Sequence, residues 1–440
     1  MKKEIKAFIV NLEKRKDRKR FVERQFKKRN EFKVEIVSAI EHELPAIGLY
    51  QSLYKIIEIA KDHDLPYILF CEDDHQFTEH YDFDRFNHSI KVVNDKEADV
   101  LLGGVSWFEC SCPVSKDLHW VNSFTGTQFM VIYSRFYGSI LETPFHSYDT
   151  IDRWMSKMSN KIFITVPMIS VQKDFGYSDV TQKNDEIGKV QQLFDDTINR
   201  WLALEKIHSH IKNSNIIQNF ANEYLSDMQL PTYIINLKER SDRLRNVLNE
   251  FQNRREFDIE VIEGVRTERG ADGLWKSIKK VVSLAKERND EVILICEDDH
   301  VFCKNYDKRI LFSAIYQGAY LGGDIILGGI SNARQIIPVN KYLCWIDSFQ
   351  CTQFTIVYSH FFDSILNEDF TEYDAADLKL SNMTINKYVI HPFISKQKDF
   401  GYSDIPIPNV TTDLYSKKFD KCESKITLIK NKFLDSNSMN

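Results

Sequence analysis

Several familiar features are missing from these 440 residues. No C-x-x-C pair occurs, and of the eight cysteines only Cys71 and Cys296 occupy equivalent places in the repeat described below. A zinc knuckle or a disulfide framework would need recurring partners, so a reducing, cytoplasmic setting is the expectation. No run approaches the roughly 20 apolar residues that cross a bilayer. The charged start, Met1-Lys2-Lys3-Glu4-Ile5-Lys6, leads into no apolar secretion segment. Peripheral contact with a membrane stays open, and nothing signals an oligomeric state. Positive charge is not in excess: the net charge is −6 and the pI near 6.1. That removes the electrostatic footprint of a non-specific nucleic-acid binder, though not a local basic groove. No tract is of low complexity. What remains is globular in character, 43% hydrophobic with 30 Phe and 19 Tyr.

The chain says one thing twice. Ile9-Val10-Asn11-Leu12 returns as Ile234-Ile235-Asn236-Leu237, an offset of 225 residues, and the match continues in register to about Asp179. Cys71-Glu72-Asp73-Asp74-His75 returns as Cys296-Glu297-Asp298-Asp299-His300. Gln172-Lys173-Asp174-Phe175-Gly176-Tyr177-Ser178-Asp179 reappears unchanged as Gln397 through Asp404. The period is too long for a solenoid, whose units run to roughly 50 residues, so two tandem domains are expected. Their expected bounds are 1–182 and 230–410, with a helical linker at 183–229 and a helix and tail at 411–440. Because most surface positions differ between copies, shared polar clusters are the better candidates for a role.

Within one copy, Ala7–Leu12 is a short apolar run of strand length. Phe21, Val22 and Phe26 then lie at helical spacing, and Val34–Val37 is a second strand. Leu53, Ile56, Ile57 and Ala60 follow the 3.6-residue period of a long helix. Tyr67–Cys71 is wholly apolar and suits a buried strand, with Val100–Gly103 and Phe129–Tyr133 similar. Strands alternating with helices predict an α/β fold with a mostly parallel sheet, whose ligands sit beyond the strands' carboxyl ends.

Glu72-Asp73-Asp74 follows the apolar strand directly, and Glu297-Asp298-Asp299 does so again. Three adjacent acids repel one another unless solvent or a cation offsets them. In an extended segment Glu72 and Asp74 would share a face. Oxygen-only ligands suit Mg²⁺ or Mn²⁺, commonly one or two carboxylates with substrate phosphates. A solvated acidic turn is the alternative.

The acidic triplet resembles the Glu-Asp-Asp motif of glycosyltransferase family 25, the lipooligosaccharide and collagen galactosyltransferase group. Three other segments resemble that family too. Asn11-Leu12 with Arg15, Asp17 and Arg18 is like its opening segment, and Gly48 with Ser52 like its Gly-x-x-x-Ser stretch. Thr127, Tyr133-Ser134, Gln172 and Ser178-Asp179 are like its closing part. All recur, as Asn236-Leu237, Arg240, Asp242, Arg243, Gly273, Ser277, Thr352, Tyr358-Ser359, Gln397 and Ser403-Asp404. One departure stands out: Leu53 and Ile278 occupy the place after the helix serine where the family usually has histidine.

The resemblance implies two GT-A-like domains, a UDP-sugar donor, Mn²⁺ or Mg²⁺, and inversion at the anomeric carbon. It implies Glu72, Asp74, Glu297 and Asp299 as metal ligands. Donor binding would fall to Asn11, Arg15, Arg18, Ser52, Asp73 and Gln172, and to Asn236, Arg240, Arg243, Ser277, Asp298 and Gln397. For the arginines the plainer alternative is a solvated basic helix face. An inverting transferase needs a carboxylate base, for which Asp149 and Asp374 are preferred over Asp152 and Asp377; a helix N-cap is the alternative. The Gln172–Asp179 block is expected to close over the donor, with Asp174 or Asp179 as a further ligand. His75 and His300 either orient the metal shell or are structural, and Trp120 and Trp345 are expected in the core. The expected activity is hexosyl transfer, galactose or glucose, onto a glycan acceptor of the lipopolysaccharide or capsule kind. Alternatives are one catalytic copy beside one scaffold copy, a DNA-modifying glycosyltransferase, and a non-enzymatic nucleotide- or glycan-binding protein.

Overall fold

The computed structural model describes residues 4–176, 188–213, 228–400 and 414–437. The chain divides into two compact units, Met1–Lys206 with Lys432–Asn440, and Ile207–Asn431. None of the eight cysteines, all among the described residues, is in a disulfide. No described helix is long and apolar enough to cross a membrane.

The first unit opens with β1 (Ile5–Asn11), α1 (Lys16–Phe26), β2 (Phe32–Ser38), α2 (Pro45–Asp62), β3 (Tyr67–Glu72), β4 (His75–Phe77) and α3 (Phe83–Asp95). There follow β5 (Val100–Leu102), β6 (Trp107–Ser115), β7 (Leu118–Thr125), β8 (Phe129–Tyr133) and α4 (Ser134–Glu142). It continues with α5 (Ile151–Met158), β9 (Ile162–Thr165), β10 (Ser170–Gln172) and α6 (Lys189–Asn213).

The second unit repeats the scheme with β11 (Leu230–Asn236), α7 (Ser241–Phe251), β12 (Phe257–Glu263), α8 (Gly270–Arg288), β13 (Val292–Glu297), β14 (His300–Phe302) and α9 (Lys308–Tyr320). Next come β15 (Ile325–Leu327), β16 (Ile336–Pro338), β17 (Leu343–Ile346), β18 (Phe354–Tyr358) and α10 (Phe362–Asn367). It ends with α11 (Ala376–Met383), β19 (Lys387–Ile390), β20 (Ser395–Gln397) and α12 (Leu414–Asn437), the last counted in this unit as far as Asn431.

Each unit is built on an eight-stranded sheet, ordered β2-β1-β3-β8-β5-β9-β7-β6 in the first and β12-β11-β13-β18-β15-β19-β17-β16 in the second. The sheet is mixed. In the first unit β8 runs antiparallel to both β3 and β5, and β7 antiparallel to β6 and β9, while the remaining strands share one direction. The apolar run Phe129–Tyr133 therefore has the predicted burial but not the parallel direction. Strands buried on both faces look alike in sequence whichever way they run.

The helix expected as a linker is instead part of the first unit as far as Lys206. Phe194 and Trp201 of α6 are buried, and Trp201 stacks on Phe108 at 4.4 Å between ring centres. Thr197 Oγ1 donates to the Ser106 carbonyl at 2.7 Å, and Trp201 Nε1 donates to Ser111 Oγ at 3.1 Å. In the second unit α12 begins at the register equivalent of α6, and its Glu423 accepts from the Phe393 amide at 2.9 Å. The structural repeat thus outlasts the sequence match: what persists is an apolar stripe, Phe194 and Trp201 against Phe419 and Ile426, not particular letters.

Candidate functional site

β1 and β3 lie side by side and parallel, with Val10 opposite Glu72. This register brings the end of β1 against the residues after β3. The chain does not stay extended there: Glu72 ends β3, Asp73 and Asp74 form a tight turn, and β4 starts at His75. The turn, rather than strand alternation, sets where each acid goes.

Asp73 is the anchor of the group. Its Oδ2 accepts from Asn11 Nδ2 at 2.8 Å, and its Oδ1 from Arg18 at 3.3 Å, with Arg15 at 4.0 Å. Arg18 also reaches Asp74 Oδ2 at 3.4 Å. Asn11 Nδ2 donates in addition to the Arg15 carbonyl at 3.2 Å, pinning the β1–α1 loop. The second unit repeats the arrangement, with Asn236 on Asp298 at 3.0 Å, Arg243 on Asp298 at 3.3 Å and on Asp299 at 3.9 Å, and Arg240 at 3.9 Å. A basic helix face in solvent does not describe Arg18 and Arg243, which are nearly buried.

Glu72 Oε1 accepts from Thr127 Oγ1 at 2.5 Å, and Glu297 from Thr352 at 2.6 Å. Burial first, then the neighbouring Asp74 and Asp73, push the Glu72 carboxyl well above the usual range; Glu297 is pushed the same way by burial, Asp299 and Asp298. Asp74 and Asp299 are raised by burial and by the adjacent aspartate, against the pull of Arg18 and Arg243 respectively. One oxygen of each, Asp74 Oδ1 and Asp299 Oδ1, is buried with no hydrogen-bond partner among the described residues. An anionic oxygen so placed is costly unless something positive meets it. Among the described residues no three His, Cys, Asp or Glu side chains are gathered as a ready-made metal cage. Two carboxylates leaving positions for substrate oxygens is the pattern that suits Mg²⁺ or Mn²⁺.

In the first unit these groups open onto a cleft of about 800 Å³, lined by Arg15, Arg18, Glu72, Asp74, Gln172 and Phe175 among others. Gln172 is delivered by the pairing of β10 with β4, which sets it opposite His75. The Lys173 amide donates to the Asp74 carbonyl at 2.7 Å, and Phe175 lies under the Arg18 guanidinium at 4.8 Å. In the second unit Gln397 Nε2 reaches Asp299 Oδ2 at 3.4 Å, and Phe400 sits 4.8 Å from Arg243. Tyr177, Ser178 and Asp179, with Gly401 to Asp404, lie outside the described residues.

Ser52 and Ser277 have a different job from the donor contact expected of them. Ser52 Oγ donates to the Gly48 carbonyl at 2.8 Å and accepts from the Ile40 amide at 2.8 Å. A Cβ on Gly48 would meet the Ile40 carbonyl at 2.4 Å. The Gly-x-x-x-Ser pattern therefore clamps the β2–α2 loop onto α2 and shapes a cleft wall that includes Ile40. Leu53 and Ile278, where a histidine was expected from the resemblance, are core residues.

Asp149 is not among the residues that line the first unit's cleft, and both it and Asp374 are engaged in the turn before a helix. Asp149 accepts from the His146 amide at 3.0 Å and from Lys157 at 3.0 Å, and that amide above all holds its carboxyl below the usual range. Asp374 likewise accepts from the Thr371 amide at 2.7 Å. Each closes the turn before its helix; neither is the N-cap. Of Asp149 and Asp152, it is Asp152 that lines the cleft; its Oδ2 accepts from the Gly126 amide at 3.3 Å, a bond matched by Asp377 on the Cys351 amide at 3.0 Å. The shared register of Asp152 and Asp377 was the available signal; the turn that turns Asp149 away was not readable.

His75 and His300 belong to the core. Nδ1 of each pairs with a buried serine, Ser170 or Ser395, at 2.8 Å, and burial depresses both to about 3. Trp120 and Trp345 are buried, with Nε1 donating to the Asn160 and Ile385 carbonyls, each at 2.7 Å.

No known family and no curated protein matches this chain. Among solved structures it is similar in part to A197 from STIV, with 12% identity, a TM-score of 0.29, and coverage of 39% of this chain and 86% of that one. It is also similar in part to an apo UDP-glucose pyrophosphorylase, with 9% identity, a TM-score of 0.26, and coverage of 46% and 82%.

Proposed function

We propose that each unit is a cation-dependent, inverting glycosyltransferase domain, as the resemblance to family 25 implies. The donor would be a UDP-hexose, galactose or glucose, and the acceptor a hydroxyl of a surface glycan such as lipopolysaccharide or capsule. One observation carries the reading: a buried, partnerless carboxylate oxygen on Asp74, recurring on Asp299, beside a second buried acid and two arginines.

Glu72 with Asp74, and Glu297 with Asp299, would hold Mn²⁺ or Mg²⁺. Such a cation clamps a diphosphate and offsets charge on the leaving group. The protein's own residues supply the rest. Asp73, fixed by Asn11, holds Arg18 beside the acids, where a guanidinium favours phosphate oxygens. Thr127 fixes the direction of Glu72. In transfer, the acceptor hydroxyl oxygen bonds to the anomeric carbon as the bond from that carbon to the diphosphate breaks. The bonding pair leaves with the diphosphate, and the hydroxyl proton passes to a carboxylate. Asp152 and Asp377, oriented by backbone amides, are the bases this reading assigns.

The test is hydrolysis and transfer from UDP-galactose and UDP-glucose with and without Mn²⁺, using Glu72→Ala with Asp74→Ala, and separately Glu297→Ala with Asp299→Ala. Each pair should abolish one site's share of turnover. A wild-type protein that neither binds UDP with Mn²⁺ nor turns over either donor sinks the reading.

A further inference from the structure

Position by position, the cleft divides into a wall that repeats at most positions and a wall that changes at most of them. The repeating wall comes from the β1–α1 loop, the acidic turn and the segment from β10 onward. Arg15, Arg18, Glu72, Asp74, Gln172 and Phe175 all have the same residue 225 positions later. Its contacts repeat as well: Lys173 N to the Asp74 carbonyl at 2.7 Å becomes Lys398 N to Asp299 at 2.8 Å.

The other wall comes from the β2–α2 loop, the turn before β8 and the start of α5. There Glu41, His42, Thr125, Gly126, Thr150 and Ile151 line the cleft. Their counterparts are Arg266, Thr267, Gln350, Cys351, Ala375 and Ala376. The frame of this wall is kept, because Gly126 N on Asp152 and Cys351 N on Asp377 are the same bond. Most of the side chains around it change. The Lys14–Glu41 ion pair returns with its polarity reversed as Glu239–Arg266. Ala375 and Ala376 remove bulk at the start of α11. Gly126 has φ +111°, and Cys351 keeps the left-handed backbone at φ +80° while its thiol reaches Ser331 Oγ at 3.0 Å. A side chain at such a φ carries strain.

Drift alone would scatter differences evenly, yet the first wall changes only at Val10 (Ile235) and Lys14 (Glu239), while the second keeps Ala46, Leu49, Ser106, Thr127 and Asp152 and changes at most of its other positions. We infer that the two units hold the same nucleotide diphosphate and cation on the repeating wall and select different acceptor glycans on the other. This rests on the reading that each unit transfers a sugar. A diphosphate and its cation demand a fixed set of charges, whereas a choice among acceptors is made by shape and polar complementarity.

The experiment uses the full chain with one site disabled at a time, by Glu72→Ala with Asp74→Ala or by Glu297→Ala with Asp299→Ala. UDP binding in Mn²⁺, hydrolysis of UDP-galactose, UDP-glucose and UDP-N-acetylglucosamine, and transfer to p-nitrophenyl β-galactoside, β-glucoside, N-acetyl-β-glucosaminide and α-mannoside are measured for each. The expected result is UDP affinity equal within about threefold and one donor ranking for both sites. At least one pair of acceptors should be preferred in opposite order, by about tenfold or more. Adding Cys351→Gly, Ala375→Thr and Ala376→Ile should move the second unit's ranking toward that of the first. Different donor rankings, the same acceptor ranking, or equal indifference to every glycoside overturns the inference while leaving sugar-nucleotide chemistry intact. Loss of UDP binding and donor turnover in the wild type would overturn the underlying reading, and the inference with it.

Discussion

Asn11 and Asp73, far apart in the chain, are joined by a buried hydrogen bond of 2.8 Å from side-chain amide to carboxylate. It closes the gap between the end of β1 and the turn after β3, and it leaves the other oxygen of Asp73 to Arg18. The same joint holds Asn236 to Asp298.

Removing that joint should cost stability as well as binding. Asn11→Ala leaves a buried carboxylate short of a donor, a loss of about 1–3 kcal/mol. Urea unfolding should show it, and UDP affinity at the first site should fall with it. A change within error in both would mean that Arg18 alone holds Asp73.

Cation binding should strengthen as pH rises. The acids must ionise to take a cation, and their carboxyls titrate high: Glu72 and Glu297 at about 8, Asp74 at about 6 and Asp299 at about 7. Mn²⁺ affinity should climb between pH 6 and 8, with proton release on binding at pH 7. Calorimetry in buffers of different ionisation enthalpy reads that release directly. The metal-free protein should move oppositely: the folded state keeps protons that the unfolded chain gives up above its ordinary carboxylate range, so these groups' stabilisation is lost toward pH 8. EDTA-treated wild type should therefore lose more melting temperature from pH 5 to 8 than Glu72→Gln.

Lys387 is a second unit feature with no counterpart in the first, where Ile162 stands. Its side chain is buried in β19 and donates to the Thr384 carbonyl. Burial depresses it to about 8, against the opposing pull of Asp347 and Asp324. A depressed lysine contributes stability above its unfolded value, near 10.5, and loses it as pH falls through 8. Lys387→Ile should raise the melting temperature at pH 7 and flatten the gain otherwise seen from pH 8 to 10.

Gly48→Ala and Gly273→Ala should each destabilise by about 1–3 kcal/mol, because the new methyl meets a backbone carbonyl that cannot retreat. Gly138→Ala, in α4, is the control: its Cβ would meet only the Glu142 carboxylate, at an unstrained 3.9 Å, and helix propensity predicts a gain of about 0.5–1 kcal/mol. Thermal melts of the three variants separate close approach from glycine content.

Asp152→Asn and Asp149→Asn should part company. With the second site disabled, Asp152→Asn should cut transfer by about 100-fold or more while sparing UDP binding. Asp149→Asn should leave transfer within a few-fold and lower the melting temperature, since it loses the ion pair with Lys157. Equal kinetic losses would restore Asp149 as a candidate base.

The repeat made much of the site legible. Two copies with different surfaces marked Asn11, Arg15, Arg18 and the acids as a set, and all converge in space. Ser52 was marked by the same logic but serves the frame, because repetition preserves a loop clamp as faithfully as a ligand contact. Asp149 and Asp152 could not be ranked three residues apart, since the turn that decides between them depends on His146 and Lys157. The direction of β8 escaped for a related reason: hydrophobic pattern reports burial, and β8 is buried whichever way it runs.

By itself the sequence determined that there are two α/β units, where their apolar strands lie, and that an acidic trio follows one of them twice. These are local matters of composition, period and duplication. Which acid is anchored and which is left with a bare oxygen was decided by the tertiary structure alone. That outcome depends on β1 lying beside β3, and on a tight turn aiming three adjacent carboxylates at different neighbours. Side-chain partners across such distances are set by strand register, which no stretch of the chain encodes on its own.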